Sequence, residues 1–129
     1  MSHLKEKLLK KIEEQRPRIA RLMKEFGEVK ADEVTISQII GGMRDIKSLV
    51  TDISYLDPNE GIRYRDLTLY DVLKSLPKVP GGEMPYVEGF FFFLLTGDIP
   101  SMEDVQEVAE EFSKRHVVPK YVYDILKAM

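Results

Sequence analysis

Between positions 3 and 26 the apolar residues fall at Leu4, Leu8, Leu9, Ile12, Ile19, Leu22, Met23 and Phe26, with Lys, Arg and Glu filling the gaps. Steps of three and four place them on one stripe of an α-helix. At 1.5 Å per residue such a helix reaches about 36 Å, too long for a narrow stripe to be stable alone, so something must cover it. Pro17 removes one backbone donor and crowds the preceding turn, which predicts a kink or two helices there. Gly27 ends the pattern.

The rest of the chain is read in shorter pieces. Residues 34–40 form a short helix or turn stopped by Gly41-Gly42. From 48 to 65 the β-formers Leu49, Val50, Thr51, Ile53 and Tyr55 precede the turn-rich Asp57-Pro58-Asn59-Glu60-Gly61 and the alternating Ile62-Arg63-Tyr64-Arg65. This predicts one small β-hairpin. Helices follow over 68–129. Thr68 or Asp71 caps the helix covering Leu69 to Leu76. Three prolines and two glycines break residues 77–85. Residues 86–96 are nearly apolar all round, which predicts burial on most faces. Ser101 and Asp104 have capping-box spacing. That helix turns Val105, Val108, Ala109 and Phe112 inward and closes near Lys114-Arg115-His116, where positive charge suits the helix dipole. Pro119 suits a first helical position. Residues 121–129 carry Val122, Ile125, Leu126 and Met129 on one face with no stop signal, as expected of a chain that continues into a larger protein. The fold class is all-α, five or six helices with one small β-hairpin, within a single domain over 1–129.

Composition removes several functions. Nineteen basic against 22 acidic residues leave a formal charge of −3, without the basic field that nucleic acid requires. There is no cysteine, hence no disulfide, thiolate metal site or Cys nucleophile. No apolar run approaches the roughly 20 residues of a membrane span, and no signal or transit peptide is visible. The expected location is the cytoplasm, with no nucleic acid, membrane or metal as partner.

The candidate sites are few. Gly41-Gly42 and Gly81-Gly82 lack the GxxxxGK and GxGxxG patterns of phosphate loops and read as a helix stop and a loop hinge. Asp52, Asp57, Glu60 and Asp66 lack calcium-loop spacing and suit turns and solvation. His116 suits the end of its helix, and His3 reads as incidental. The cluster Phe90 to Phe93 reads as helical core rather than a ligand pocket. Arg44, Lys47, Arg63 and Arg65 are the one basic concentration. They read as solvated charges or ion pairs to Asp52, Asp57 and Asp66, or else as a site for a phosphate-bearing ligand. No nucleophile–base–orienter set can be assembled, so no catalytic residue is assigned.

From Gly41-Gly42-Met43-Arg44 through Ile46 to Arg65, the sequence resembles citrate synthase of the eukaryotic type, also found in some bacteria. The likeness continues at Leu76-Pro77, Pro80-Gly81-Gly82, Glu88-Gly89-Phe90, Leu94 to Gly97 and Ile99-Pro100. A weaker match follows at Lys114-Arg115 and Pro119.

The resemblance implies the N-terminal segment of a large helical domain, in a homodimer that condenses acetyl-CoA with oxaloacetate to citrate and CoA in the tricarboxylic acid cycle. It also implies that an Asp removes a proton from the acetyl methyl while one His stabilises the enol and another polarises the ketone. No position here matches those three residues. Arg44 matches the Arg that this family brings to the phosphates of CoA, a cofactor-binding role. Asp45 and Asp66 stand where the family commonly has Gly.

Two expectations follow. One is a citrate synthase fragment that is inactive alone, binds no cofactor by itself, self-associates through the stripes of its first and last helices, and partners the remainder of its chain. The other is a standalone helical interaction module derived from that fold. The mitochondrial matrix is the alternative location.

Overall fold

The computed structural model describes residues 3–43, 45–46 and 50–129. Among them are six helices and one small antiparallel sheet: α1 His3–Phe26, α2 Ile36–Ile40, β1 Ser54–Asp57, β2 Gly61–Tyr64, β3 Leu67–Thr68, α3 Leu69–Ser75, α4 Val87–Thr96, α5 Met102–Arg115 and α6 Lys120–Ala128. The fold is mainly helical, as the periodicity predicts. None of these helices is long and apolar enough to cross a membrane.

Local chemistry sets most boundaries. Thr35, Thr68 and Ser101 each accept a bond from the backbone N–H three residues on, and the Gln38, Asp71 and Asp104 side chains return it to the cap's own N–H. Gly97, at φ 78°, closes α4 through its N–H to the Phe93 carbonyl. At α5, Arg115 pairs with Glu111 and the His116 ring meets the Ser113 carbonyl.

The core is small. Val72 of α3 and its C-cap Leu76 bury against Phe93 of α4, with Tyr64, Leu67 and Phe90 packed around them. Tyr64 and Phe90 meet edge-to-face, ring centroids 5.1 Å apart. Phe92 is fully buried, and the Lys7 ammonium lies 5.0 Å from its ring centroid. Gly89 lets α4 and α5 approach closely, since a Cβ there would lie 3.0 Å from Val105 Cγ2.

Several sequence expectations change. Pro17 does not divide α1, which is one helix of 24 residues. Glu13 and Pro17 are both exposed, so the missing bond lies on a side of the helix open to solvent. The hairpin is a three-stranded sheet, ordered β1-β2-β3, and begins at Ser54 instead of residue 48. Residues 47–49 lie outside the described residues. Residues 50–53 form no strand: β2 reverses at Arg65-Asp66 into β3, and this stretch meets β2 through a single backbone bond, from the Arg65 N–H to the Ile53 carbonyl.

Helix α4 is not enclosed on most faces. Gly89, Phe92, Phe93 and Thr96 are buried, while Val87, Phe91 and Leu95 remain exposed. Phe112 is likewise exposed, although it stacks on Phe91. Pro119 is the N-cap of α6 rather than its first residue.

Candidate functional site

The residue that the sequence reading assigns to CoA, Arg44, lies outside the described residues; its surroundings are described. Helix α2 stops at the two glycines. The N–H groups of Gly41, Gly42 and Met43 turn back to the carbonyls of Ser37, Ile39 and Gln38. All three donors are therefore spent on closing a helix, and none is left to cradle a phosphate. Gly42, Met43 and Asp45 all have positive φ, 78°, 61° and 60°. At Gly81 (φ 76°) the second glycine pair makes a tight turn, with the Gly82 N–H to the Val79 carbonyl.

The sheet beyond is organised by its two arginines. Asp57 accepts the N–H groups of Glu60 and Asn59, which hold its carboxyl below the usual range. Arg63 pairs with Glu60, which holds the guanidinium firmly protonated, and donates to the Asp66 carbonyl at 3.1 Å. The expected partners Asp57 and Asp66 thus give way to Glu60 and a carbonyl oxygen.

Arg65 is buried to a greater degree, at 16% side-chain exposure. Its Nε and Nη2 donate to the Leu94 carbonyl at 3.0 and 2.7 Å, Nη2 reaches the Leu95 carbonyl at 3.1 Å, and Nη1 pairs with Asp52 at 2.8 Å. It neutralises the carbonyl end of α4, where a helix dipole is negative. Both arginines are occupied structurally.

Arg65 and Asp66 form a two-residue hairpin turn with φ 49° and 67°. Positive φ at both centres is the type I′ requirement, which Asn-Gly and Asp-Gly meet best. Asp66 holds the conformation that the glycine of the family pattern would take without strain. Asp66→Gly is therefore expected to stabilise the chain by roughly 0.5–1 kcal/mol, net of glycine's added unfolded-state freedom. A urea midpoint that falls instead would show that the aspartate side chain supports the turn.

His3 is not incidental. Its ring nitrogen Nδ1 meets Asp104 Oδ1, and its backbone N–H donates to Glu107 Oε2 at 3.0 Å. Sequence distance concealed this, since the partners lie 101 and 104 residues away. Asp104 is buried. Burial alone would push its pKa up, but the Ser101 N–H and hydroxyl, His3 and Lys7 outweigh that and hold it below the usual value. The order is serine–aspartate–histidine. Ser101 donates to the carboxylate and not to the imidazole, and that carboxylate, its pKa held low, is a weak base engaged in the capping box of α5. The trio joins α1 to α5 mechanically.

A carboxyl whose folded pKa is depressed adds stability above its unfolded pKa and loses it as pH falls through the folded value. Asp104 stability should therefore decline below about pH 4. Asp104→Asn should flatten that acid limb and cost about 1–2 kcal/mol near neutrality. Equal acid limbs in both proteins, followed by circular dichroism, would exclude this role.

Among the described residues no three His, Cys, Asp or Glu side chains could hold a metal ion.

These elements define a mainly helical protein with a small turn-rich sheet packed against α3 and joined to the end of α4 by Arg65. The family model "Citrate synthase, C-terminal domain" matches residues 42–129. The chain is 42% identical over 125 residues to "Probable citrate synthase, mitochondrial" of Glossina morsitans morsitans, covering 97% of this chain and 27% of that protein. It is 44% identical over 123 residues to "2-methylcitrate synthase, mitochondrial" of Yarrowia lipolytica, covering 95% and 26%. It is 40% identical over 126 residues to "Citrate synthase 4, mitochondrial" of Arabidopsis thaliana, covering 98% and 27%. The chain belongs to the citrate synthase family. It spans about a quarter of the length of these curated relatives.

Proposed function

We propose that this chain is the N-terminal segment of the large helical domain of a citrate synthase, the scaffold of an enzyme that condenses acetyl-CoA with oxaloacetate to citrate and CoA. One observation carries the reading: identity near 40% runs through almost the whole chain yet accounts for only about a quarter of each relative. In the reaction that the resemblance implies, a carboxylate takes a proton from the acetyl methyl. One imidazole then stabilises the enol and another polarises the ketone. The chain's own histidines are committed elsewhere, His3 to Asp104 and His116 to a helix end, so those groups come from the remaining polypeptide.

Arg44 is the residue proposed to meet the phosphates of CoA, where a guanidinium offers a planar donor fork to paired oxygens. Asp45 is its sequence neighbour and brings a competing carboxylate. The relatives' names favour the mitochondrial matrix over the cytoplasm as the location. A homodimer is the proposed assembly of the whole protein.

The isolated 129-residue chain should release no thiol from acetyl-CoA in the presence of oxaloacetate. In the whole protein, Arg44→Ala should raise KM for acetyl-CoA about tenfold, the loss of one charged hydrogen-bonding contact. Turnover by the isolated chain that Arg44→Ala abolishes would overturn the proposal. A second reading, a standalone helical interaction module, draws on the exposed apolar side chains of α1 and α6. It requires a natural reading frame that stops at Met129, whereas the first requires one that continues into His- and Asp-bearing segments. As an isolated fragment the chain should self-associate through these stripes, seen as concentration-dependent sedimentation.

A further inference from the structure

The turn that follows α2 carries an acidic residue where its backbone favours glycine. The Ile46 N–H donates to the Met43 carbonyl at 3.3 Å, which closes a four-residue turn over 43–46. Asp45 is the third residue of that turn, at φ 60°. Glycine suits positive φ at this position best, and among side-chain-bearing residues Asn and Asp adopt it at least cost. Asp45 is exposed, and among the described residues no donor meets its carboxylate. In sequence Arg44 precedes it and Lys47 follows two positions on.

What separates Asp45 from an asparagine in the same conformation is its charge. Consecutive Cα atoms are about 3.8 Å apart, well inside the screening length of about 8 Å at physiological ionic strength. A polyanion docked against this turn is repelled by that charge, and a guanidinium beside it is partly neutralised.

We propose that Asp45 sets the affinity of the CoA site: its carboxylate weakens the pull of this turn on the phosphates of an acyl-CoA thioester. KM for acetyl-CoA then stands above the value that an uncharged residue at 45 would give. The inference rests on the reading of Arg44 as the phosphate contact, and it adds the group that opposes that contact. The phosphates take no part in the bonds that form and break. Repulsion there acts on ground state and transition state alike, so it falls on KM and leaves kcat unchanged.

The test uses the whole natural protein and steady-state thiol release from acetyl-CoA with oxaloacetate. Asp45→Asn keeps the turn conformation and removes the charge. It should lower KM for acetyl-CoA about three- to tenfold at low ionic strength, with kcat and KM for oxaloacetate unchanged. Most of that gain should vanish in about 0.5 M salt, where exposed charges are screened. Asp45→Gly should behave in the same way. A gain from Asp45→Gly alone would trace the effect to backbone strain and overturn the inference. An unchanged KM in Asp45→Asn, or a gain that persists in high salt, would overturn it too. If Arg44→Ala leaves KM for acetyl-CoA unchanged, the reading of Arg44 fails and the inference falls with it. If Arg44→Ala raises KM while Asp45→Asn does not lower it, the inference alone fails.

Discussion

Phe93→Ala is expected to cost about 3–5 kcal/mol, the range for removing a fully buried aromatic ring. Phe93 is 1% exposed and stands where α3 and α4 meet, against Val72 and Leu76. Val72 lies within the capped helix α3 and Leu76 is its C-cap. Against a typical total stability of about 5–15 kcal/mol, this loss is enough to melt the α3–α4 contact in a chain of this size. Phe91 provides the internal comparison. It sits two residues earlier on α4, 38% exposed, with Phe112 as its ring partner, and Phe91→Ala should cost less than half as much. Urea unfolding followed by circular dichroism measures both. Equal midpoints for the two variants would mean that the core is not where the packing puts it.

The second large effect belongs to Arg65. Arg65→Ala is expected to cost about 2–4 kcal/mol, since charged hydrogen bonds are worth more than neutral ones and partly buried acceptors are left empty. The Leu94 and Leu95 carbonyls lose their donor and Asp52 loses its ion partner. The Asp52 bond adds little, because that carboxylate is 79% exposed and exposed pairs are screened. Arg65→Lys should recover less than half of the loss. A single ammonium cannot span two carbonyls and a carboxylate as the guanidinium fork does. A lysine variant as stable as the parent would show that charge alone, and not the fork, holds the sheet to α4.

Much of the fold was legible because its signals are local. The capping boxes at Thr68 and Ser101 involve residues three apart, and Gly97 ends α4 by its own backbone freedom. The hairpin turn was visible in Asp57-Pro58-Asn59-Glu60-Gly61, where the Asp57 side chain accepts from the two N–H groups that follow. The family resemblance marked Asp66 as a position that wants glycine, and its φ of 67° shows why.

What was not legible depended on distance or on solvent. His3 and Asp104 carry no mutual signal across 101 residues, and Arg65 reaches carbonyls 29 and 30 residues away. Backbone acceptors have no sequence signature at all. Of the two outcomes expected at Pro17, a kink or two helices, the second does not occur, because losing one backbone donor on an exposed side of a long helix does not end it. Of the candidate site, Arg44 stands out in the sequence as part of the one basic concentration and takes a CoA role only through resemblance, while Arg63 and Arg65 needed coordinates to show that their donors are already in use.

The sequence by itself determined the capped starts of α3 and α5, the stop of α4 at Gly97, the absence of cysteine chemistry and the turn between β1 and β2, because each depends on residues within a few positions of one another. Tertiary structure alone decided that α1 docks through His3 and Lys7, that α4 is half-buried, that a third strand forms and that the sheet arginines are structural. Those outcomes depend on which distant groups arrive to desolvate a side chain or take its hydrogen bonds, and no local pattern encodes that arrival.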